Sequence, residues 1–312
     1  MGFLTTLSSV GIMGVMILIG ILLRRNRPLS IETQGMLIQI IVNVALPCII
    51  LSSIFKFKMD GEMFKLVLLT FVGAAALNTV ALLVCWVLGK GLGYEGQRAR
   101  QTSIISALGN TGFIGIPLCA ILFGPKGALL AAVFDAGMDF VLWSLGIFML
   151  QKDSKFSLAS LKPMLNIPML AIVLGLALGF MQFEAPQFLI SLTTMLANVA
   201  SPLAMIYIGL LVPGMWPKIR AMPKRQFTVP LLFKLFGVPA LAMLMVSVLD
   251  LDLTLAQVIL VQATMPTIAL ASIVFHKYGG DVDLAASTTI VSTLLALATI
   301  PIMVWLGTTL AL

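Results

Sequence analysis

The sequence predicts an all-α membrane protein of ten transmembrane helices, built as two inverted five-helix repeats in which helices 4 and 9 are broken and cross. Three observations predict this fold. Of the 312 residues, 60% are hydrophobic and only 10% are charged, whereas a soluble domain carries roughly a quarter charged residues. Lysine and arginine concentrate in alternate connections between the apolar segments, and a sequence pattern of the first half recurs in the second.

Ten apolar segments each approach the length of about 20 residues that crosses the hydrocarbon core of a bilayer. The sixth segment is short for a crossing, and the first is interpreted as a retained helix because it lacks the features of a signal peptide. We expect a first repeat over residues 1–150, a cytoplasmic connection over 151–166 and a second repeat over 167–312. The predicted spans are 4–23, 33–54, 63–88, 101–123, 126–149, 167–182, 187–211, 228–249, 255–276 and 284–310.

Basic residues are distributed unequally between the two sides of the predicted bundle. Four lie in connections on one side, at Lys56, Lys58, Lys65 and Lys126. The opposite side receives Arg24, Arg25, Arg27, Lys90, Arg98, Arg100, Lys152, Lys155, Lys162, Lys218, Arg220, Lys224, Arg225 and Lys277. The positive-inside rule assigns the richer side to the cytoplasm. We therefore expect a multi-pass protein of the cell (inner) membrane with both termini on the non-cytoplasmic side, and a net charge of +7 that does not indicate a nucleic-acid partner.

An internal repeat supports the division into two halves. Asn43–Pro47 (NVALP) recurs as Asn198–Pro202 (NVASP), an offset of 198 − 43 = 155 residues. At the same offset Gly20 aligns with Gly175, within similar apolar segments, and Gly124 aligns with Gly279. Five spans in each repeat require the second to be inverted in the membrane, which is typical of secondary transporters whose site lies near the midplane. A duplicated helix bundle with no transport role is the alternative.

Both repeats contain a helix break at the same place. Segment 109–117 holds three glycines, an asparagine and a proline, and glycine costs about 1 kcal/mol and proline about 3 kcal/mol in a helix interior. The offset of 155 maps Asn110-Thr111 onto Met265-Pro266 in the ninth span. We expect the two breaks to face each other at the bilayer centre and cross. The predicted helix-break residues are Gly109, Pro117 and Met265.

Two crossing breaks would direct helix N-termini toward the bilayer centre, where their unpaired N–H groups and partial positive charge favour an anion. Neutral polar side chains at the breaks and the repeated asparagines would complete a site for a carboxylate. The alternative is a pair of structural kinks packed against neighbouring helices. The predicted substrate-binding residues are Asn43, Asn110, Thr111, Gly112, Asn198, Gln262, Thr264, Pro266 and Thr267.

These residues resemble a known family. Asn110-Thr111 followed by Gly115-Ile116-Pro117 is similar to the fourth-helix signature of the auxin efflux carrier family, and the resemblance extends over the whole chain, including Met265-Pro266 and Gly209-Leu210-Leu211. The connection near 151–166 is short, as in the compact prokaryotic members. Gly109 stands where plant members have proline. The third span carries Asn78 and Thr79 instead of the aspartate and lysine of plant members, which disfavours auxin itself as the substrate.

The resemblance implies a fold like that of the bile acid sodium symporters. Helices 1, 2, 6 and 7 would form a scaffold that makes a homodimer through helices 2 and 7, and helices 3–5 and 8–10 would form a transport domain that moves like an elevator. Asn110 matches the family's substrate-binding asparagine. The implied substrates are small organic anions, such as malate- or malonate-type dicarboxylates in bacteria. No cofactor is expected, apart from a coupling H⁺ or Na⁺.

Three charged residues lie deep within predicted spans, away from their ends. Asp135 and Asp139 are four residues apart and therefore share one helix face, and Lys234 lies in the eighth span. A charge at the bilayer centre costs about 2.5–3.5 kcal/mol or more, so such residues are usually functional or paired. One hypothesis is that the aspartates bind the coupling ion, with Lys234 as counter-ion or substitute cation. The other is a structural ion pair between them.

The residue inventory does not favour an enzyme. The chain has one histidine, His276, and neither an HExxH nor a GxSxG motif of the kind that would provide a metal site or a nucleophile. Cys48, Cys85 and Cys119 lie in apolar segments without metal-ligand spacing, and we interpret them as packing residues. A channel or a sensor on the same fold remains an alternative to a carrier.

Overall fold

The computed structural model describes residues 3–24, 29–56, 59–151 and 158–312. These residues form helices and no strand, and one isolated antiparallel bridge joins Gly109 to Thr267. The prediction of an all-α protein is therefore confirmed. Five basic residues used in the topology prediction lie outside the described residues: Arg25, Arg27, Lys58, Lys152 and Lys155.

The described residues of the first half of the chain form seven α-helices. They are α1 (Phe3–Arg24), α2 (Ile31–Ile40), α3 (Leu46–Ile54), α4 (Gly61–Gly91), α5 (Gly96–Ala107), α6 (Ile116–Val141) and α7 (Ile147–Leu150). Short π-helical turns connect α2 to α3, precede α6 and connect α6 to α7; they span Ile41–Ala45, Thr111–Gly115 and Leu142–Gly146.

The second half begins with a 3₁₀ turn over Leu158–Met164. Its α-helices are α8 (Ile167–Phe180), α9 (Gln187–Ala221), α10 (Lys224–Leu232), α11 (Val238–Val248), α12 (Leu253–Ala263), α13 (Ala271–Lys277) and α14 (Val282–Leu310). A π-helical turn over Phe233–Gly237 connects α10 to α11.

Within the described ranges, seven helices are long and apolar enough to cross a membrane, against ten predicted spans. The difference has three sources. The predicted sixth span is the 14-residue α8, and the predicted ninth span is divided between α12 and α13. The predicted fourth and fifth spans share one helical stretch over 111–150, which Gly124 interrupts with φ 66° and ψ −154°.

Polar residues at the helix starts explain several boundaries. The side chains of Asp60, Asn166, Asp252 and Asp281 each accept the backbone N–H three residues later, at 2.8–3.1 Å. Such N-caps satisfy donors that have no partner inside the helix. The helices therefore start where the sequence first offers a capping carboxylate or amide before an apolar segment.

Large apolar side chains cover the outside of the bundle. On α1 alone, Leu4, Ile12, Val15 and Leu22 are each more than half exposed. A water-soluble protein rarely exposes so much contiguous apolar surface, so this surface faces lipid. The opposite face of α1 packs on α9 at Gly20, where an added Cβ would lie 2.2 Å from the Ile206 carbonyl oxygen.

At each end of the bundle, ion pairs or hydrogen bonds join neighbouring connections to each other. Lys126 pairs with Asp252 at 3.2 Å, which joins two connections poor in basic residues. At the other end Lys218 pairs with Asp283 at 2.6 Å, and Gln97 donates to the Gly279 carbonyl oxygen at 2.8 Å. Each of these contacts joins two connections that the sequence prediction assigns to the same side of the bundle.

Candidate functional site

The two helix breaks cross, and their backbones bond to each other. The Asn110 N–H donates to the Pro266 carbonyl oxygen at 2.7 Å, and the Ile268 N–H donates to the Leu108 carbonyl oxygen at 3.1 Å. These bonds flank the bridge between Gly109 and Thr267. A backbone polar group at membrane depth needs an internal partner, and here each broken helix supplies the partners of the other.

The local sequence permits this close crossing. A Cβ at Gly109 would lie 3.1 Å from the Lys234 ammonium nitrogen and 3.4 Å from the Met265 Cβ, so a larger residue would meet neighbours on both sides. A Cβ at Gly115 would lie 1.8 Å from Gln262 Oε1. The predicted break residues Gly109 and Met265 therefore lie in the crossing, whereas Pro117 lies in the first turn of α6.

A cavity of about 100 Å³ adjoins one side of the crossing. Its polar wall includes residues from the first break and two residues of α6, and its apolar wall combines residues of α3, α6 and α8 with residues of both breaks. The polar lining residues are Asn110, Thr111, Asp135, Asp139 and Asn166; the apolar ones include Leu46, Ile50, Met169 and Ile172. Asn166 is a lining residue that sequence reasoning missed as part of the site, and its only sequence signal is its position as an N-cap.

The Asn110 side chain faces this cavity with an unused amide. The residue is 3% exposed, and its side chain forms no hydrogen bond within the described part of the chain. An amide that lines a cavity and has no protein partner is free to bond to a molecule held there. Asn110 therefore gains from a bound molecule that both donates to and accepts from its amide, or from either interaction alone.

Asp135 lies against the start of the helical segment that follows the first break. The Thr111 hydroxyl donates to Asp135 Oδ1 at 2.5 Å, and a Cβ at Gly112 would lie 3.0 Å from Asp135 Oδ2. Asp139 lies one turn further along α6 and lines the same cavity. The Asp135 carboxylate thus lies at the positive end of this helical segment. A negative charge in that position stabilises the segment through its helix dipole.

Lys234 lies elsewhere in the crossing. The side chain is 1% exposed, and its ammonium donates to the Ala107 carbonyl oxygen at 3.1 Å, at the carboxyl end of α5. Ion pairs between described residues are Lys126–Asp252 and Lys218–Asp283, so Lys234 pairs with neither Asp135 nor Asp139 in this conformation. Its position at the negative end of a half-helix is electrostatically favourable.

The polar residues of the second break support the crossing instead of lining the cavity. Gln262 donates to the Ala131 carbonyl oxygen at 3.0 Å, and Thr264 donates to its own helix at Val261. The Thr267 hydroxyl donates to the Ile105 carbonyl oxygen at 2.9 Å, while the Thr267 N–H donates to Ser292 Oγ at 3.0 Å. Pro266 contributes its carbonyl to the crossing, as described above.

The two repeated asparagines lie away from this cavity. Asn43 is exposed on the turn between α2 and α3. Asn198 lines a different cavity, between α9 and the first turns of α6. The structure therefore brings together Asn110, Thr111 and Gly112 with the two aspartates, and leaves Asn43 and Asn198 outside.

Comparison with known proteins assigns the chain to a family. The model of a family described as membrane transport protein matches residues 6–162 and 156–304. The chain belongs to this family, that of the auxin efflux carriers. The resemblance seen in the crossing motif is thereby confirmed, and the protein is a multi-pass membrane transporter.

Two archaeal relatives are similar to this transporter over nearly their whole length. One is an uncharacterized transporter of Methanothermobacter thermautotrophicus, 25% identical over 292 residues that cover 92% of this chain and 94% of the relative. The other is an uncharacterized transporter of Methanocaldococcus jannaschii, 25% identical over 298 residues that cover 94% of this chain and 96% of the relative.

Proposed function

We propose that this protein is a secondary transporter of a small organic anion, which it binds through a carboxylate at Asn110. The observation that carries the proposal is the buried, unpartnered amide of Asn110 facing a cavity beside two crossed helix breaks. The amide donates to a carboxylate oxygen, and the free N–H groups at the start of the segment after the break lie next to it. Malate- and malonate-type dicarboxylates are the substrate class to test first.

The proposed architecture has ten spans in two inverted repeats. Gly124 and Gly279, which are 155 residues apart, both have a positive φ, of 66° and 72°, which supports corresponding turns in the two halves. In this architecture α1–α3, α8 and α9 form the scaffold, and α4–α7 with α10–α14 form the transport domain. The cavity lies between α3 and α8 on one side and the crossing on the other, so an elevator movement would carry the site with the transport domain.

The proposed scaffold would also form the homodimer. Val44 on the turn before α3 is 39% exposed, and Met195 and Val199 on α9 are 71% and 42% exposed. Asn43 lies next to Val44 in the sequence and is exposed as well. A dimer through predicted helices 2 and 7 would remove this mixed surface from lipid.

Asp135 and Asp139 would couple transport to a cation. An anion that enters this cavity meets two carboxylates, and the described lining residues include no lysine or arginine. Uptake of a proton by one carboxylate, or binding of Na⁺ between them, would remove part of that repulsion. A sodium-coupled symporter of organic anions is the second candidate, and it differs from the first only in the identity of this cation.

A thermal-shift experiment tests the substrate site. The purified protein, Asn110→Ala and the control Asn43→Ala are each heated with monocarboxylates and with malate and malonate. A ligand that binds the folded state stabilises it by RT ln(1 + [L]/Kd), about 2.7 kcal/mol at 100 Kd. We expect at least one carboxylate to stabilise the wild type and Asn43→Ala but not Asn110→Ala. Equal stabilisation of all three would contradict the proposed site.

A further inference from the structure

A second cavity, of about 440 Å³, lies further along the same helices. We infer that it is an anion-binding vestibule on the membrane face opposite the first cavity, and that Lys56 attracts the carboxylate there. This inference rests on the proposed function for the identity of the anion. The polar and charged lining residues are Ser52, Ser53, Lys56, Thr194, Asn198 and Ser201.

The charges of the two cavities are opposite. The first contains Asp135 and Asp139, whereas Lys56 is the one charged residue among the described residues that line the second. The Lys56 side chain is exposed and forms no ion pair within the part of the chain that the structure describes. An adjoining cavity of about 320 Å³ shares Lys56 and also contains Glu184. The second cavity thus offers a cation that is not neutralised by a carboxylate in contact.

Two hydroxyl groups in the second cavity lack partners. Thr194 Oγ1 and Ser201 Oγ are buried and form no hydrogen bond to any described residue. Buried hydroxyls without partners are unfavourable, so a rearrangement of this wall that turned them toward the cavity would give each a partner in a bound anion. The Asn198 amide lies on the same wall, one turn before Ser201. Hydroxyl and amide donors beside one lysine are the groups expected around a carboxylate.

The two cavities share their walls. On α3, Leu46 and Ile50 line the first cavity and Ser53 lines the second, together with Lys56 just after the end of the helix. Ile50 and Ser53 are three residues apart, which corresponds to about 4.5 Å along a helix. Ile50 and Ile116, which are 0% and 1% exposed, line the first cavity, and the next residue of α6, Pro117, lines the second. A displacement of α6 along α3 by one or two turns would therefore open the site at Asn110 toward Lys56.

A charge-selective labelling experiment tests the vestibule without assuming a substrate. Ala197→Cys, at a partly exposed position in the lining of the second cavity, is placed in a background whose native cysteines, Cys48, Cys85 and Cys119, are replaced by alanine. The reaction rates of this cysteine with an anionic and with a cationic methanethiosulfonate reagent of similar size are then compared, each relative to the rate with a free thiol. We expect the anionic reagent to be favoured, and Lys56→Gln to reduce the ratio about fivefold.

Lys56→Arg keeps the charge and should preserve the ratio, and Lys65→Gln removes an exposed lysine that does not line the cavity. An anion preference that Lys56→Gln leaves unchanged, or no preference in the starting protein, would overturn the vestibule. The cysteine can prefer the anionic reagent even if no carboxylate raises the melting temperature of the protein. That result would support the vestibule while contradicting the proposed substrate class.

Discussion

At the scale of single residues, the site beside the crossing combines groups with opposite electrostatic preferences. The Asn110 amide and the free N–H groups after the break favour an anion, whereas Asp135 and Asp139 oppose it. At an effective dielectric constant of about 20, two like charges about 5 Å apart repel by about 3 kcal/mol. That cost is comparable to the gain from one charge-assisted hydrogen bond. We therefore expect a carboxylate to bind well here only when a cation accompanies it.

The substitution Asp139→Asn tests this linkage. It removes one negative charge permanently, so malonate binding should become about tenfold tighter at neutral pH and should lose most of its dependence on pH or sodium. In the wild type the affinity should rise as the pH falls if the cation is a proton, and as sodium rises if it is Na⁺. Titration of malonate over a pH series and a sodium series measures both.

The control for this substitution is Asp252→Asn, at an exposed N-cap that pairs with Lys126. It should change neither the affinity nor its dependence on the cation. If Asp139→Asn has the same pH and sodium dependence as the wild type, the aspartates are structural and the coupling proposal is wrong.

Only part of the site could be predicted from single residues. Asn110, Thr111 and Asp135 share one cavity, in keeping with the break motif and with the four-residue spacing of the aspartates. Gln262 and Thr267 were predicted beside the substrate, but they bond to backbone carbonyls of neighbouring helices. A polar side chain at a helix break can stabilise either the break or a ligand. The sequence does not distinguish these uses, because both require the same residue types.

At the scale of secondary-structure elements, the π-helical turns follow a pattern that was not predicted. Three of the four are followed by a proline two residues after the turn ends, at Pro47, Pro117 and Pro239. Proline has no N–H group, and its ring clashes with the carbonyl of the preceding turn. A wider turn relieves that clash and keeps the helix continuous, which is one recognised origin of π-bulges and kinks. The signal is therefore present in the sequence.

The second prediction concerns two glycines that the 155-residue offset aligns between the halves of the chain. Gly124 and Gly279 have positive φ, and an added Cβ would meet no atom within 4 Å at either position. Alanine should therefore destabilise the protein by backbone strain alone, by about 1–2 kcal/mol at each position. Thermal unfolding in detergent measures the effect.

Gly11 in α1 is the matched control, since a Cβ there also meets nothing within 4 Å but the backbone is helical. Gly11→Ala should be neutral or stabilising by up to about 1 kcal/mol. A similar change in melting temperature for all three variants would show that the turns at Gly124 and Gly279 do not depend on their backbone conformation.

At the scale of the whole molecule, hydropathy predicted well where the apolar helices lie, but it did not predict which of them are continuous. The predicted fourth and ninth spans are divided at the crossing, and the 14 residues of α8 extend only about 21 Å at 1.5 Å per residue. That length is less than the hydrocarbon core of about 30 Å. Hydropathy measures apolar length and does not detect whether the backbone continues, so the glycine and proline positions had to supply that information.

The orientation in the membrane is predicted from the charges at the two ends of the bundle, and it provides the last prediction. Asp250 lies in the exposed connection next to the Lys126–Asp252 pair, at the end poor in basic residues, and Glu95 is exposed at the opposite end, beside Gln97 and its bond to Gly279. The positive-inside rule directs the second end to the cytoplasm. In the cysteine-free background, Asp250→Cys in intact cells should react with a membrane-impermeant maleimide, and Glu95→Cys should react only after permeabilisation. The reverse pattern would invert the protein in the membrane and assign Lys56 and its cavity to the cytoplasmic face.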